Sequence, residues 1–388
     1  MKIGIFTDSY KPYVSGVVTS IELFTKEFER QGCKVYIFAP NYPNSQDADQ
    51  GQTIFRFQSI PTPTNPGFRL ALPVSARLRN TIRKLGLDVI HIHSPFLLGA
   101  SGARLGKRLG IPVVFTYHTL YEEYIHYFPG ANNSVKHYLI RRTRNFCNNC
   151  SAVITPSSGL KKLLHQRGVR VEMRVIPTGI ELSRFTLGSK EKFLQEWGIP
   201  KNHRILLYTG RLGKEKNLEL LLQSYRILRQ ARKDLSLVIV GSGPYEQKLR
   251  DLISAGSDPG VILTGRLQNQ ALADAYQAAD LFVFPSVTET QGLVLLEAMS
   301  VGLPVVSAIS YGSQDVVVSG ENGYLVEPEA GEIASAVARI LDNPELYSTM
   351  TQNSRRTARQ FSIERMAEKT LKLYEMLTNR PLERDYAG

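Results

Sequence analysis

Residues 281–308 read LFVFPSVTETQGLVLLEAMSVGLPVVSA. Leu281-Phe-Val-Phe284 is a short, continuous apolar run closed by Pro285. A polar loop follows, then apolar residues at helical density from Leu293, a turn at Gly302-Leu-Pro304, and a second β-branched run at Val305–Ala308. Strand, helix and strand in so short a span make one parallel crossover unit. Strands that are apolar throughout belong to sheets covered by helices on both faces. A hydropathy scan would flag Gly292–Gly312 as a membrane span, but Glu297, Gly302 and Pro304 interrupt it, and the span is rejected.

The same rhythm fills the chain on either side. KIGIFT, KVYIFAP, DVIHIHS, PVVFTYH, SAVITPS and RVIPTG alternate with helical patterns across residues 1–179. RILLYTG, LSLVIVGSG, VILTG, LFVFPS and PVVSA do the same from about residue 204 to 360. Two such series predict an α/β chain of two doubly wound domains, and 388 residues are more than one core usually serves. The turn-rich stretch Pro177–Phe185 places the boundary, giving domains of residues 1–180 and 181–362. Ile363, Met366, Leu371, Leu373, Tyr374 and Leu377 recur at helical spacing, so a C-terminal helix within 363–388 is expected to pack back on the N-terminal domain.

Apolar residues at 43% and charged residues at 21% describe an ordinary globular protein. The net charge of +12 is unevenly placed. Residues 1–180 carry 23 basic and 10 acidic side chains, whereas residues 181–388 carry 24 and 25. This excludes a uniformly basic, histone-like protein and predicts that the N-terminal half faces an anionic partner. Three cysteines make no disulfide framework and fit a reducing cytosol. Cys147-Asn-Asn-Cys150 has redox spacing but ends a basic helix, so packing cysteines are expected. The opening MKIGIFTDSY reads as a strand that reaches Asp8 at once, unlike the apolar region of a signal peptide.

In open parallel sheets, ligands sit beyond the carboxyl ends of the strands. Asp8, Gly16, His93 and His118 follow strands of the first series; Gly210-Arg211, Gly241-Ser-Gly243, Gly265-Arg266 and Ser286–Glu289 follow those of the second. Glycine, cations and carboxylates at these ends suit phosphate and sugar. Glu289 lies in the loop after LFVFP, and Glu297 returns toward the start of the next helix. The N–H groups of Gln291, Gly292 and Leu293 open that helix and form an anion site. A capping glutamate plus a surface glutamate is the plainer alternative, but Glu297 stands in an apolar run where an unpaired charge is costly. Arg211 and Lys216 flank a glycine-containing loop after a strand, as a diphosphate clamp requires. Gly16 at a helix opening lets backbone approach a ligand. No G-x-G-x-x-G fingerprint opens the chain, and Gly241-Ser-Gly243 is half of one, so a dinucleotide cofactor is not expected.

No metal is expected either. Asp47-Ala-Asp49 falls in a polar loop, and His91-Ile-His93 has no Cys or HExxH partner. Residues 50–87 and 124–171 contain no acid. In the first tract Leu78, Ile82 and Leu85 line one helical face, while Arg77, Arg79, Arg83 and Lys84 take the others; this reads as a membrane-surface helix. A core-facing helix with a basic outer side is the alternative.

Taken together, SGVVTS, Tyr117-His-Thr119, VIPTGIELSRF at 175–185, the Gly-Arg-Leu…Glu-Lys loop, GSGP and the two glutamates eight residues apart resemble the retaining, nucleotide-sugar-dependent glycosyltransferases of family four over essentially the whole chain. FTDSYKPYVSGVVTSI and YHTLYEEYIHYFPG further resemble the diacylglycerol glucosyltransferases; Ser15 departs from the pattern, where many members carry Asn. The resemblance implies the GT-B fold, two Rossmann-like domains with a cleft between them. It also implies that Arg211 and Lys216 bind the diphosphate, Glu289 the donor sugar and Glu297 the ribose hydroxyls. His118 would lie near the reacting sugar hydroxyls, and Gly16 near the donor phosphate. The implied activity is transfer of a hexose, glucose from UDP-glucose, to diacylglycerol without metal or other cofactor. The enzyme would be cytoplasmic and peripheral on the inner face of the cell membrane, with no nucleic-acid partner. The alternatives are a GDP-mannose-dependent phosphatidylinositol mannosyltransferase and a transferase to a soluble polyol.

Overall fold

The computed structural model describes residues 1–43, 45, 53–62, 69–72, 75–123 and 132–381, the side chains of Ser75–Arg77 excepted. Asp47 and Asp49 lie outside the described residues. The chain divides into two compact units, Met1–Gly179 joined by the segment from Ile363 onward, and Ile180–Ser362.

In the first unit β1 (Lys2–Phe6), β2 (Lys34–Pro40) and β3 (Thr53–Phe57) are followed by a small antiparallel hairpin, β4 (Ser59–Pro61) and β5 (Arg69–Ala71). Then come β6 (Val89–Ile92), β7 (Val113–Thr116), β8 (Ala152–Thr155) and β9 (Met173–Val175). The main sheet is parallel, in the order β3-β2-β1-β6-β7-β8-β9. Its helices are α1 (Gly16–Arg30), α2 (Ser75–Leu85), α3 (Leu97–Leu109), α4 (Asn133–Asn148) and α5 (Ser158–Gln166). Alternation along the strands splits the core in two. Ile3, Ile5 and Ile37 face α1 and the C-terminal helix Ile363–Thr378, burying Phe28, Met366, Leu371 and Tyr374. Phe6, Ile92 and Phe115 face the other way, against Leu78, Ile82 and Leu160. Each such side chain contributes roughly 1.5–3 kcal/mol on burial.

The second unit begins with α6 (Lys190–Glu196) and β10 (Arg204–Thr209), then α7 (Leu218–Ala231), β11 (Leu235–Val240), α8 (Glu246–Gly256) and β12 (Val261–Gly265). It continues with α9 (Asn269–Ala278), β13 (Leu281–Phe284), α10 (Leu293–Ser300), β14 (Val305–Ala308), β15 (Gly323–Val326), α11 (Ala330–Leu341) and α12 (Pro344–Gln360). The strands are parallel in the order β12-β11-β10-β13-β14-β15. Every residue of β11 is buried, and its polar Ser236 pairs its Oγ with the His203 ring at 2.9 Å.

Each sheet reverses direction once. In the first, the order runs outward from β1 to β2 and β3 on one side and to β6 and beyond on the other; in the second, it splits between β10 and β13. Diverging loops leave a crevice at such a point, where doubly wound sheets take ligands. The strands adjoining these reversals, β1, β6, β10 and β13, lead to Asp8 and Gly16, His93, Arg211 and Glu289, whereas His118, Gly241–Gly243 and Gly265-Arg266 stand at the ends of β7, β11 and β12.

Candidate active site

In the second unit, β10 delivers Gly210–Gly213 and the short turn Lys214–Lys216, while its neighbour β13 delivers Ser286–Glu289. The adjacency brings Lys216 Nζ onto Glu289 Oε1 as an ion pair, both side chains largely buried. Ser286 Oγ donates to the same carboxylate oxygen at 3.0 Å. The Glu289 carbonyl accepts from the N–H of Gly312 at 2.9 Å, which ties the loop to the chain after β14. A Cβ on Gly312 would lie 2.4 Å from the Gln291 backbone, so only glycine admits this approach. Arg211 Nη1 stands 3.8 Å from Glu215 Oε1 with its side chain 45% exposed. Gly241-Ser-Gly243 buttresses this loop: Leu212 N–H donates to the Ser242 carbonyl at 3.0 Å, and the Leu212 carbonyl accepts from Tyr245 N–H at 2.9 Å.

The helix after Glu289 starts later than the sequence suggested. Gly292 is the cap of α10, in the left-handed region at φ 71°, and Leu293 is the first helical residue. Gln291 precedes the helix, its backbone close to Gly312. The N–H groups that open α10 are those from Leu293 onward, and they remain an anion site by charge and geometry. Glu297, one turn on, accepts from the Tyr276 hydroxyl at 2.8 Å, and that hydroxyl meets Thr209 Oγ1 at 2.8 Å. Burial pushes the Glu297 carboxyl up, while Tyr276 and the Arg184 guanidinium restrain the rise. Tyr276 and Thr209 escaped the sequence reading, and Ser286 stood in it only as part of the Ser286–Glu289 loop.

The first unit gathers a different chemistry. Asp8, at the end of β1, is buried and accepts from Leu98 N–H at 3.0 Å at the start of α3. Burial raises its carboxyl to about 6, against the pull of the Leu98, Gly99 and Phe96 N–H groups. Ser15 caps α1 through Val18 N–H at 3.3 Å, and Gly16 follows as the first helical residue, with no atom within 4 Å of where a Cβ would stand. His118, after β7, meets His93 with Nε2 to Nδ1 at 2.8 Å. His91, on the same strand face as His93, has its ring centroid 4.2 Å away. It is held by Thr116 Oγ1 at 2.6 Å and the Tyr374 hydroxyl at 2.5 Å. Burial lowers the His118 imidazole to about 4 and His91 to about 3, so both are neutral near pH 7.

One expectation needs correction. The apolar face of α2 is not available to a membrane: Leu78 and Ile82 are wholly buried in the core, and Leu85 is half-buried. Arg79, Arg83 and Lys84 are exposed and offer charge alone, while the Arg77 side chain lies outside the described residues. Cys147 and Cys150 are buried free thiols, with Cys147 pushed up to about 12 by burial, as packing residues would be. Among the described residues no three His, Cys, Asp or Glu side chains converge as a metal site, and no helix is long and apolar enough to cross a membrane.

The sequence matches two family models, "Glycosyltransferase Family 4" over residues 14–184 and "Glycosyl transferases group 1" over residues 189–357. It is 34% identical over 357 residues to a Streptococcus pneumoniae alpha-monoglucosyldiacylglycerol synthase, covering 86% of this chain and 80% of that protein. The Acholeplasma laidlawii protein of the same name is 30% identical, with 96% of each chain covered. A GDP-mannose-dependent alpha-mannosyltransferase of Mycolicibacterium smegmatis is 29% identical over 91% of this chain and 92% of its own. Among solved structures, Anabaena Alr3699/HepE in complex with UDP superposes with a TM-score of 0.79 at 21% identity, over 97% of this chain and all of that one.

Proposed function

The chain belongs to the family-four glycosyltransferases, of GT-B fold, and from that premise we propose that it transfers glucose from UDP-glucose to the free hydroxyl of diacylglycerol with retention of the α configuration. The observation that carries the reading is the Lys216–Glu289 pair beside the N-terminus of α10. A cation, a carboxylate and helical N–H groups meet at one strand reversal. This is the equipment needed to hold a diphosphate and a sugar hydroxyl together. Glu297, oriented by Tyr276, accepts from the ribose hydroxyls. His118 and Gly16 serve the reacting sugar and the donor phosphate.

As the bond from the anomeric carbon to the diphosphate oxygen breaks, negative charge gathers on the leaving group. Arg211, Lys216 and the α10 terminus stabilise it, so the reading requires no metal. The acceptor oxygen bonds to the anomeric carbon on the face the diphosphate leaves, and its proton passes to a phosphate oxygen of the departing UDP. Full turnover in EDTA is the expected result; loss of turnover restored by a divalent cation would contradict that part.

The lipid acceptor draws support from the two synthase relatives and from the surface of the first unit. Val14, Ile60, Leu72, Leu97, Val135 and Tyr138 are exposed apolar side chains of that unit. With the basic excess of residues 1–180 they suit an anionic membrane, against which the enzyme would sit peripherally. UDP release measured with diacylglycerol vesicles, with soluble polyols and with no acceptor tests the acceptor class. Release that needs the vesicles supports it, and equal release with polyols overturns it. The Mycolicibacterium relative favours a second reading, GDP-mannose as donor.

A further inference from the structure

We propose that His93 is a positioning residue that holds His118 in its Nδ1–H tautomer. The inference rests on the reading that His118 works on the transferred sugar. His93 Nδ1 and His118 Nε2 are 2.8 Å apart, with ring planes only 21° from parallel. Both rings are neutral near pH 7, because burial lowers each below the ordinary imidazole range. Two neutral imidazoles facing each other through one nitrogen apiece share a single proton, so one ring donates and the other accepts.

The surroundings of His93 decide which. The residue is 1% exposed, and among the described residues no protein group lies within hydrogen-bond reach of its buried Nε2. If His118 donated through Nε2, His93 would carry its own proton on that orphaned Nε2. Buried N–H groups without a partner are rarer than buried acceptors without one, so the proton belongs on Nδ1, shared toward His118. His118 therefore accepts at Nε2 and keeps its proton on Nδ1. It acts as a neutral hydrogen-bond donor to a sugar oxygen.

His93 cannot turn away to release its neighbour. The His91 ring packs against it at 4.2 Å, and His91 is pinned through both nitrogens, by Thr116 and by Tyr374 from the C-terminal helix. A residue more than 280 positions downstream of His91 thus completes the support, |i−j| being 283.

The test is long-range 1H–15N correlation on the full chain labelled with 15N-histidine, with no substrate present and His118 assigned by the signal lost in His118→Asn. The proposal expects the Nδ1–H pattern for His118 in the wild type; the Nε2–H pattern would overturn it. His93→Phe keeps a ring but no donor. It should leave His118 a mixture of tautomers and lower kcat about 10- to 100-fold with little change in donor KM, as for other partners that orient a working imidazole. His93→Asn places an amide N–H near the lost Nδ1 and should restore both the pattern and most of kcat. A His93→Phe protein with the wild-type pattern and full kcat would also overturn the proposal. The wild-type spectrum decides the tautomer whether or not His93→Phe folds. Because it is read without substrate, a failure of transferase activity would count against the assigned function alone.

Discussion

Lys216 and Glu289 stand 73 residues apart in the chain and meet as an ion pair, each side chain 15% exposed. Neither reaches the other through local structure. They meet because β10 and β13 are neighbours in the second sheet, and because each strand ends in a loop at the point where the order reverses. Each neutralises the other, and a bound diphosphate would share the lysine.

Loss of either cation should therefore act on the rate. Arg211→Ala and Lys216→Ala are each expected to lower turnover about 10²-fold or more, the size of losing one donor to a developing anion. Lys216→Ala also leaves Glu289 without its cation and should lower the melting temperature, whereas Arg211→Ala, at a half-exposed site, should not. Initial rates of UDP release and thermal unfolding separate the two effects. Near-normal turnover in Arg211→Ala would reject the clamp.

Tyr276 orients the second glutamate. Tyr276→Phe removes the donor to Glu297 and the contact to Thr209, leaving a largely enclosed carboxylate short of a partner. UDP affinity measured by calorimetry should fall about 5- to 10-fold, the equivalent of one hydrogen bond of ~1 kcal/mol or slightly more. Unchanged affinity would remove Glu297 from the nucleotide site.

Asp8 makes a pH prediction with a definite sign. Its carboxyl titrates near 6 when folded against 3.8 for the free side chain, so between those values the folded state keeps a proton that the unfolded chain has lost. Stability contributed by Asp8 therefore falls as pH rises from about 4 to 6, by at most ~3 kcal/mol. His91 and His118, near 3 and 4 when folded against 6.5 unfolded, act oppositely and cost stability as pH falls through 6.5 toward 4. Asp8→Asn should match the wild type near pH 4, gain on it as pH climbs to 6, and hold that gain above. Urea unfolding at a series of pH values measures this; a difference independent of pH would reject it.

Much of this was legible in the linear chain. The buried strands announced themselves as apolar runs such as Leu281–Phe284, and the segments after them pointed to Arg211, Lys216, Glu289 and Glu297. The edges were harder. β3 carries Arg56 within TIFRF, because an edge strand is spared the burial that makes a run uniformly apolar, and β15 opens on Gly323, where a Cβ would lie 1.9 Å from the Val305 carbonyl oxygen. Tyr276 and Tyr374 were hidden for another reason. Each looks like one more core aromatic on a helix, and only tertiary packing turns its hydroxyl toward Glu297 or His91. The α2 helix misled because an apolar stripe beneath a basic face reads the same whether the stripe meets lipid or core.

Membrane contact should accordingly depend on α4 more than on α2. Val135 and Tyr138 are exposed in the first turns of α4, on a helix with Lys136, Arg141 and Arg142 and no acid. Val135→Ser with Tyr138→Ser should reduce flotation with anionic vesicles at both low and moderate salt, since it removes apolar area. Replacing Arg79, Arg83 and Lys84 by Gln should matter at low salt only, at ~1 kcal/mol per charge, because screening removes the rest. Equal salt dependence for the two variants would contradict this division.

The most direct measurement is mass spectrometry, with NMR of the anomeric proton, on products from a panel of nucleotide sugars offered with diacylglycerol vesicles. The account predicts one dominant product, an α-linked glucosyl diacylglycerol formed from UDP-glucose and lost in Arg211→Ala. A β-linked product, a mannosyl lipid formed from GDP-mannose in its place, or no glycolipid from any donor would contradict it.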